Sequence, residues 1–161
     1  MMAIAAMNVV SAGSIFLYAI AYSIGSLGAF ACLHAMSSNG DESISGLNGL
    51  GNRQPKVAIF LSLIMFSLAG IPPVAGFFAK YYLFYGALMG GYTWLVLIAV
   101  LSSLIGVFYY FRVIFALFKT SPVSPEELPR LLPKHYILLV LSAIISLGIG
   151  LSPAWLQSLI S

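Results

Sequence analysis

The sequence predicts an all-α, polytopic membrane protein of about four transmembrane helices, forming a single membrane domain over residues 1–161. Three observations lead there. Of the 161 residues, 61% are hydrophobic and 7% are charged, with a mean hydropathy of +1.04, far outside the range of a soluble domain. The apolar residues gather into runs long enough to cross a bilayer. Between the runs lie polar stretches that hold all four acidic residues, Asp41, Glu42, Glu126 and Glu127.

The first helix is predicted from about Ser14 to Met36, long enough at roughly 1.5 Å per residue to cross a hydrocarbon core of about 30 Å. Ala21, Gly25 and Ala29 recur at a spacing of four, which makes a close-approach face for a neighbouring helix. Residues 1–13 are apolar but too short to span, and "MMAIAAMNVVSAGS" carries no Lys or Arg before its apolar residues, so a cleavable signal peptide is a poor description. The chain reads there as cut into, not begun. "SSNGDESISGLNGLGNRQ" follows and predicts a loop outside the membrane.

The second apolar run, Val57 to Met89, has 33 residues, about 50 Å if fully helical, too long for one straight span. Within it sits "GIPPVAGFFAKYY". Pro72 and Pro73 cannot donate backbone hydrogen bonds, which leaves the carbonyls of Leu68 and Ala69 open. Ile71 and Pro72 are each pushed out of helical geometry by the proline that follows. Gly70 and Gly76 allow the backbone to bend and to approach other groups. The prediction is a pair of half-helices, about 57–70 and 74–89, broken at 71–73. Such a break is tolerated at membrane depth only where protein or water surrounds it.

"GGYT" closes this run, and a third helix is predicted from about Trp94 to Phe118. The polar, Pro-rich "KTSPVSPEELPRLLPKH" separates it from a fourth, Tyr136 to Leu151, after which Pro153 starts the short amphiphilic end "AWLQSLIS". Arg53, Lys56, Lys119, Arg130 and Lys134 all fall in the two long loops, 37–56 and 119–135, whereas the connection near 89–93 has no charge. By the positive-inside tendency both long loops face the cytoplasm. A multi-pass protein of a bacterial cytoplasmic (inner) membrane is the default expectation.

Lys80 lies eight residues past Pro72 and nine before the apolar run ends. An intramembrane lysine usually faces the bundle interior or a hydrated cavity and takes part in ion or proton movement. Removing an ammonium from water favours the neutral amine, the state a proton carrier must visit. The competing reading is a lysine that snorkels to the headgroups past Tyr81, Tyr82 and Tyr85 from an ordinary kinked helix. His34, Ser102 and Ser103 are candidate relay groups, against plainer readings as an interfacial histidine and as serines bonded to neighbouring backbone. Arg112, with Tyr109 and Tyr110, reads as an interfacial anchor.

Several function classes fall away. A single cysteine, Cys32, forbids an internal disulfide and any CxxC motif. The net charge of +3 comes from Lys and Arg scattered between apolar runs, not from a basic face that tracks phosphates. No nucleophile–base pair, metal-ligand cluster or glycine-rich phosphate loop is present, so no bond chemistry is expected of this chain alone and no cofactor or metal on it.

"SLGAFACLHAMSSNGDESISGLNGLGNRQPKVAIFLSLIMFSLAGIPPVAGFFAKYYLF", followed by "LSSLIGVFYYFRVIFALF", resembles the C-terminal part of the NuoN-type (NdhB-like) subunit of proton-pumping NADH:quinone oxidoreductase, complex I. The resemblance runs from about Gly25 to Phe118, and "SLAGIPPVAGFFAK" is its specific core. It implies an antiporter-like subunit fragment in which "AGIPPVAGFFAK" is a broken helix and Lys80 is the terminal proton-carrying residue. It further implies a role in proton translocation coupled to electron transfer from NADH to quinone. NADH, FMN, iron–sulfur clusters and quinone would sit elsewhere in the complex. The partners implied are other membrane subunits of complex I, including further antiporter-like subunits, and the lipid bilayer; no nucleic acid is implied. Family members are roughly three times longer, so the sequence reads as their last four helices, truncated at the N-terminus or split. Alternatives of the same helix design are a subunit of a multi-subunit cation/proton antiporter or of a membrane-bound hydrogenase. A purely structural membrane subunit is the alternative from another class.

Overall fold

A computed structural model describes residues 9–36, 44–120 and 131–152, and these form an all-helical bundle. The long helix α1, Val9–Met36, opens it. A 3-10 turn, Ile44–Leu47, and the single-turn α2, Leu50–Arg53, lead into α3, Pro55–Ala69. After the break come α4, Ala75–Met89, α5, Thr93–Phe118, and α6, Pro133–Leu151. Three helices, Gly13–Met36 within α1, α5 and α6, are each long and apolar enough to cross a membrane. The pair α3 and α4 supplies the broken fourth element, 15 residues to each half. The chain is a multi-pass membrane protein.

Helix α3 sits at the centre, and one buried cluster forms around it. Leu61, Ile64 and Met65 of α3 meet Ala29 and Cys32 of α1, Leu117 of α5 and Leu139 of α6. A second, smaller cluster lies beyond the break, where Leu17 and Ala21 of α1 pack on Ala75 and Ala79 of α4. The small-residue face of α1 is the surface that allows this: Ala21 and Ala29 are buried, and a Cβ at Gly25 would press on the Leu68 side chain. Helix α5 buries little beyond Val96, Ile114, Ala116 and Leu117 and turns a broad apolar face outward, Leu97, Leu101, Leu104 and Phe108 among it.

Two boundaries differ from the sequence reading. Helix α1 is already helical at Val9, the first described residue, ahead of the predicted Ser14, because no proline or charge interrupts residues 9–13. The predicted loop 37–56 is only partly a loop. Its residues 37–43 lie outside the described ones, but Leu47 and Leu50 are buried in the main core. Their spacing of three lets two single turns present one apolar side inward. Residues 1–8, 121–130 and 153–161, with the predicted solvated Glu126 and Glu127 and the amphiphilic end, lie outside the described residues.

Candidate functional site

The site is built at the discontinuity between α3 and α4. Helix α3 ends on Gly70, whose φ of 84° is a left-handed conformation that glycine adopts without penalty. The N–H groups of Gly70 and Ile71 both donate to the Phe66 carbonyl, at 3.0 Å each, in the manner of a helix closed by a left-handed residue. The Pro72–Pro73 peptide bond is cis. Val74, in extended conformation, then starts α4. The carbonyls of Leu68 and Ala69 are thereby left without backbone donors, as the prolines require.

Lys80 fills that gap. Its Nζ donates to the Ala69 carbonyl at 2.8 Å, to the Leu68 carbonyl at 3.1 Å and to Ser103 Oγ of α5 at 3.1 Å. Side chains of a helix lean toward its N-terminus, so a lysine between one and two turns into α4 reaches back to the end of α3. There its charge meets the negative end of the α3 dipole. The ammonium is directed inward onto backbone, not outward to headgroups past Tyr81 and Tyr85, which are themselves exposed. All four acidic residues fall outside the described residues, so among those described no carboxylate pairs with Lys80.

Helix α6 supports the break from behind. The Ser146 hydroxyl donates to Ser67 Oγ at 2.6 Å, and the Gly76 N–H donates to the same oxygen at 3.3 Å. Ser67 and Ser146 are both buried. Backbones crowd closely here: a methyl at Gly76 would overlap the Ser67 carbonyl, and one at Gly150 would overlap the Pro73 carbonyl.

Of the candidate relay groups, Ser103 touches Lys80. Ser102 is exposed on the other side of α5. His34 sits at the far end of α1, its ring edge-on to His135 of α6 at 6.4 Å; twelve residues of helix, about 18 Å, separate it from Tyr22, which lies beside the lysine. Tyr110 is half-buried, whereas Tyr109 and Arg112 are exposed. Tyr18 and Tyr22 line a narrow cleft together with Ser67, Leu68 and Lys80. Sequence reasoning missed Ser67, Ser146, Gly150 and the tyrosines. Only the helical period of the tyrosines, four apart on α1, was there to be noticed.

This geometry can be set beside known proteins. The family described as NADH:quinone oxidoreductase/Mrp antiporter, transmembrane, matches residues 1–106. Subunit N of the NADH-quinone oxidoreductase of Chloroflexus aggregans is 42% identical over 139 residues, covering 85% of this chain and 28% of the relative. The corresponding subunit of Cytophaga hutchinsonii is 43% identical, over 87% of this chain and 31% of the relative. A chain of respiratory complex I from Thermus thermophilus, solved with bound aureothin, superposes with a TM-score of 0.77 at 28% identity, covering 95% of this chain and 34% of that one. The chain thus spans about a third of the length of these proteins. With two thirds of its residues, the broken helix among them, inside the match, the chain belongs to the NADH:quinone oxidoreductase/Mrp antiporter transmembrane family.

Proposed function

We propose that the chain is the C-terminal part of a longer antiporter-like subunit of proton-translocating NADH:quinone oxidoreductase, and that Lys80 takes up and releases protons at the break. NADH oxidation and quinone reduction belong to other subunits in this reading, which hold the FMN and iron–sulfur clusters. This chain does no redox chemistry and contributes to the translocase by moving protons. Its partners are other membrane subunits of the complex, further antiporter-like ones included. The long loops face the cytoplasm of a bacterial cell; the Lys and Arg in them, and the bacterial relatives, support that placement.

The observation that carries the proposal is the placement of the Lys80 ammonium on the two open carbonyls of the broken helix. An ammonium has three donors and no acceptor, and three acceptors meet it. When the proton leaves, the amine acquires a lone pair that the two carbonyls cannot satisfy, since they only accept. The Ser103 hydroxyl can turn and donate. Ser103 is therefore the partner that serves both protonation states and the side on which exchange is easiest.

The test is Lys80→Met in the assembled complex in membrane vesicles. NADH-driven proton uptake is expected to fall strongly while the amount of assembled complex holds. Uptake at the unsubstituted level would remove Lys80 from the mechanism. The family description also covers Mrp antiporters; sodium-linked transport independent of NADH would identify that alternative.

A further inference from the structure

The two half-helices cap each other. A helix begins with N–H groups and ends with carbonyls that find no partner within it. Val74, which precedes α4, has no side-chain oxygen and makes no cap. The cap comes from the other half, where Ser67 Oγ accepts the Gly76 N–H at 3.3 Å. In return the Lys80 ammonium of α4 closes the end of α3, on the Leu68 and Ala69 carbonyls. Ser67 directly precedes those two residues, and Gly76 and Lys80 are four apart, one turn from each other on one face of α4. The same two helix faces are thus tied twice, once by a neutral group and once by a charged one. A serine oxygen has two lone pairs, and the second of Ser67 takes the Ser146 hydroxyl of α6 at 2.6 Å. Both serines are buried.

We propose that Ser67, oriented by Ser146, is a positioning residue for Lys80: its cap across the break holds α4 where the lysine meets the open carbonyls in both of its protonation states. The proposal rests on Lys80 being the proton carrier. The ammonium meets three acceptors with three donors, whereas the neutral amine keeps two N–H groups and cannot serve all three. Hydrogen bonds from a charged donor are also roughly twice as strong as neutral ones. The charged tie between the half-helices therefore weakens whenever the proton leaves. The Ser67–Gly76 tie contains no titrating group and stays as it was. It keeps the halves in place while the lysine is neutral, so that a returning proton meets an amine still beside the carbonyls. Without it, the group that exchanges protons would also have to hold the helix.

The test measures NADH-driven proton uptake per assembled complex in membrane vesicles, for Ser67→Ala, Ser67→Thr, Ser62→Ala and Lys80→Met. Ser67→Ala is expected to lower uptake several-fold, as displacing a reacting group does, with electron transfer from NADH to an artificial acceptor unchanged. Ser67→Thr keeps the hydroxyl and is expected to retain uptake. Ser62 is a buried serine of the same helix whose hydroxyl bonds only to its own turn, at the Ala58 carbonyl; Ser62→Ala is expected to leave uptake unchanged. A merely structural serine would lower the amount of complex and not the uptake of each one. Normal uptake in Ser67→Ala, with uptake lost in Lys80→Met, overturns the positioning role and leaves the lysine assignment standing. Normal uptake in both overturns the two together. Equal loss in Ser67→Ala and Ser67→Thr also overturns the role, since the hydroxyl would then not be what matters. Should Ser67→Ala not accumulate, Ser146→Ala and Ser146→Thr decide: uptake lowered in the first and retained in the second supports the role, and any other result in an assembled complex overturns it.

Discussion

Ser67 carries no charge, yet its hydroxyl oxygen receives both the Gly76 N–H and the Ser146 hydroxyl. Removing one partner of a buried hydrogen bond costs more when it strands the other. Ser146→Ala deletes a hydroxyl and leaves Ser67 with the Gly76 donor, at a cost of about 1 kcal/mol. Ser67→Ala leaves both the Gly76 N–H and the Ser146 hydroxyl without that acceptor, at about 1–3 kcal/mol. Thermal unfolding of the purified, detergent-solubilised protein should therefore rank Ser67→Ala below Ser146→Ala. Equal losses, or the reverse order, would show that Ser67 is not the junction. Nothing in the sequence could have revealed this pair, because a serine among leucines reads the same whether it bonds to its own turn, as Ser62 does to the Ala58 carbonyl, or to a residue 79 positions away.

At the scale of the element, the break was legible almost to the residue. Two successive prolines forbid helical hydrogen bonding wherever they occur, so the predicted halves, 57–70 and 74–89, lie close to the observed Pro55–Ala69 and Ala75–Met89. The open carbonyls of Leu68 and Ala69 followed from the same rule. What answers them did not, since a side chain's direction depends on how the second half-helix is set against the first. Gly70 and Gly91 separate backbone strain from function here. Both have a left-handed φ, 84° and 80°, which costs an L-residue roughly 1–2 kcal/mol. A Cβ at Gly70 would lie 2.8 Å from Lys80 Cδ, whereas one at Gly91 meets nothing within 4 Å. Gly70→Ala is thus expected to reduce proton uptake in the assembled complex, and Gly91→Ala to leave it unchanged. Equal behaviour of the two would mean that the Gly70 position matters only for its backbone.

For the whole molecule, the number and order of helices came from apolar run length alone, while the burial of Leu47 and Leu50 did not, because single turns are too short to show a period. The proposed topology places the ends of α2 and α5 on one side of the membrane and the α4–α5 turn on the other. Asn52→Cys and Lys119→Cys should both react with an impermeant maleimide from the same side, and Tyr92→Cys from the opposite one. Cys32 is fully buried and gives no background. Labelling of Asn52→Cys and Lys119→Cys from opposite sides would sink the arrangement. Helix α6 adds an element of time. It leaves the ribosome after the broken pair and after α5, yet it brings Ser146 to Ser67 and seats Gly150 against Pro73. During synthesis the discontinuity therefore exists first without its rear wall, which α6 then supplies. A nascent chain halted before residue 133 holds Lys80 but not the finished site.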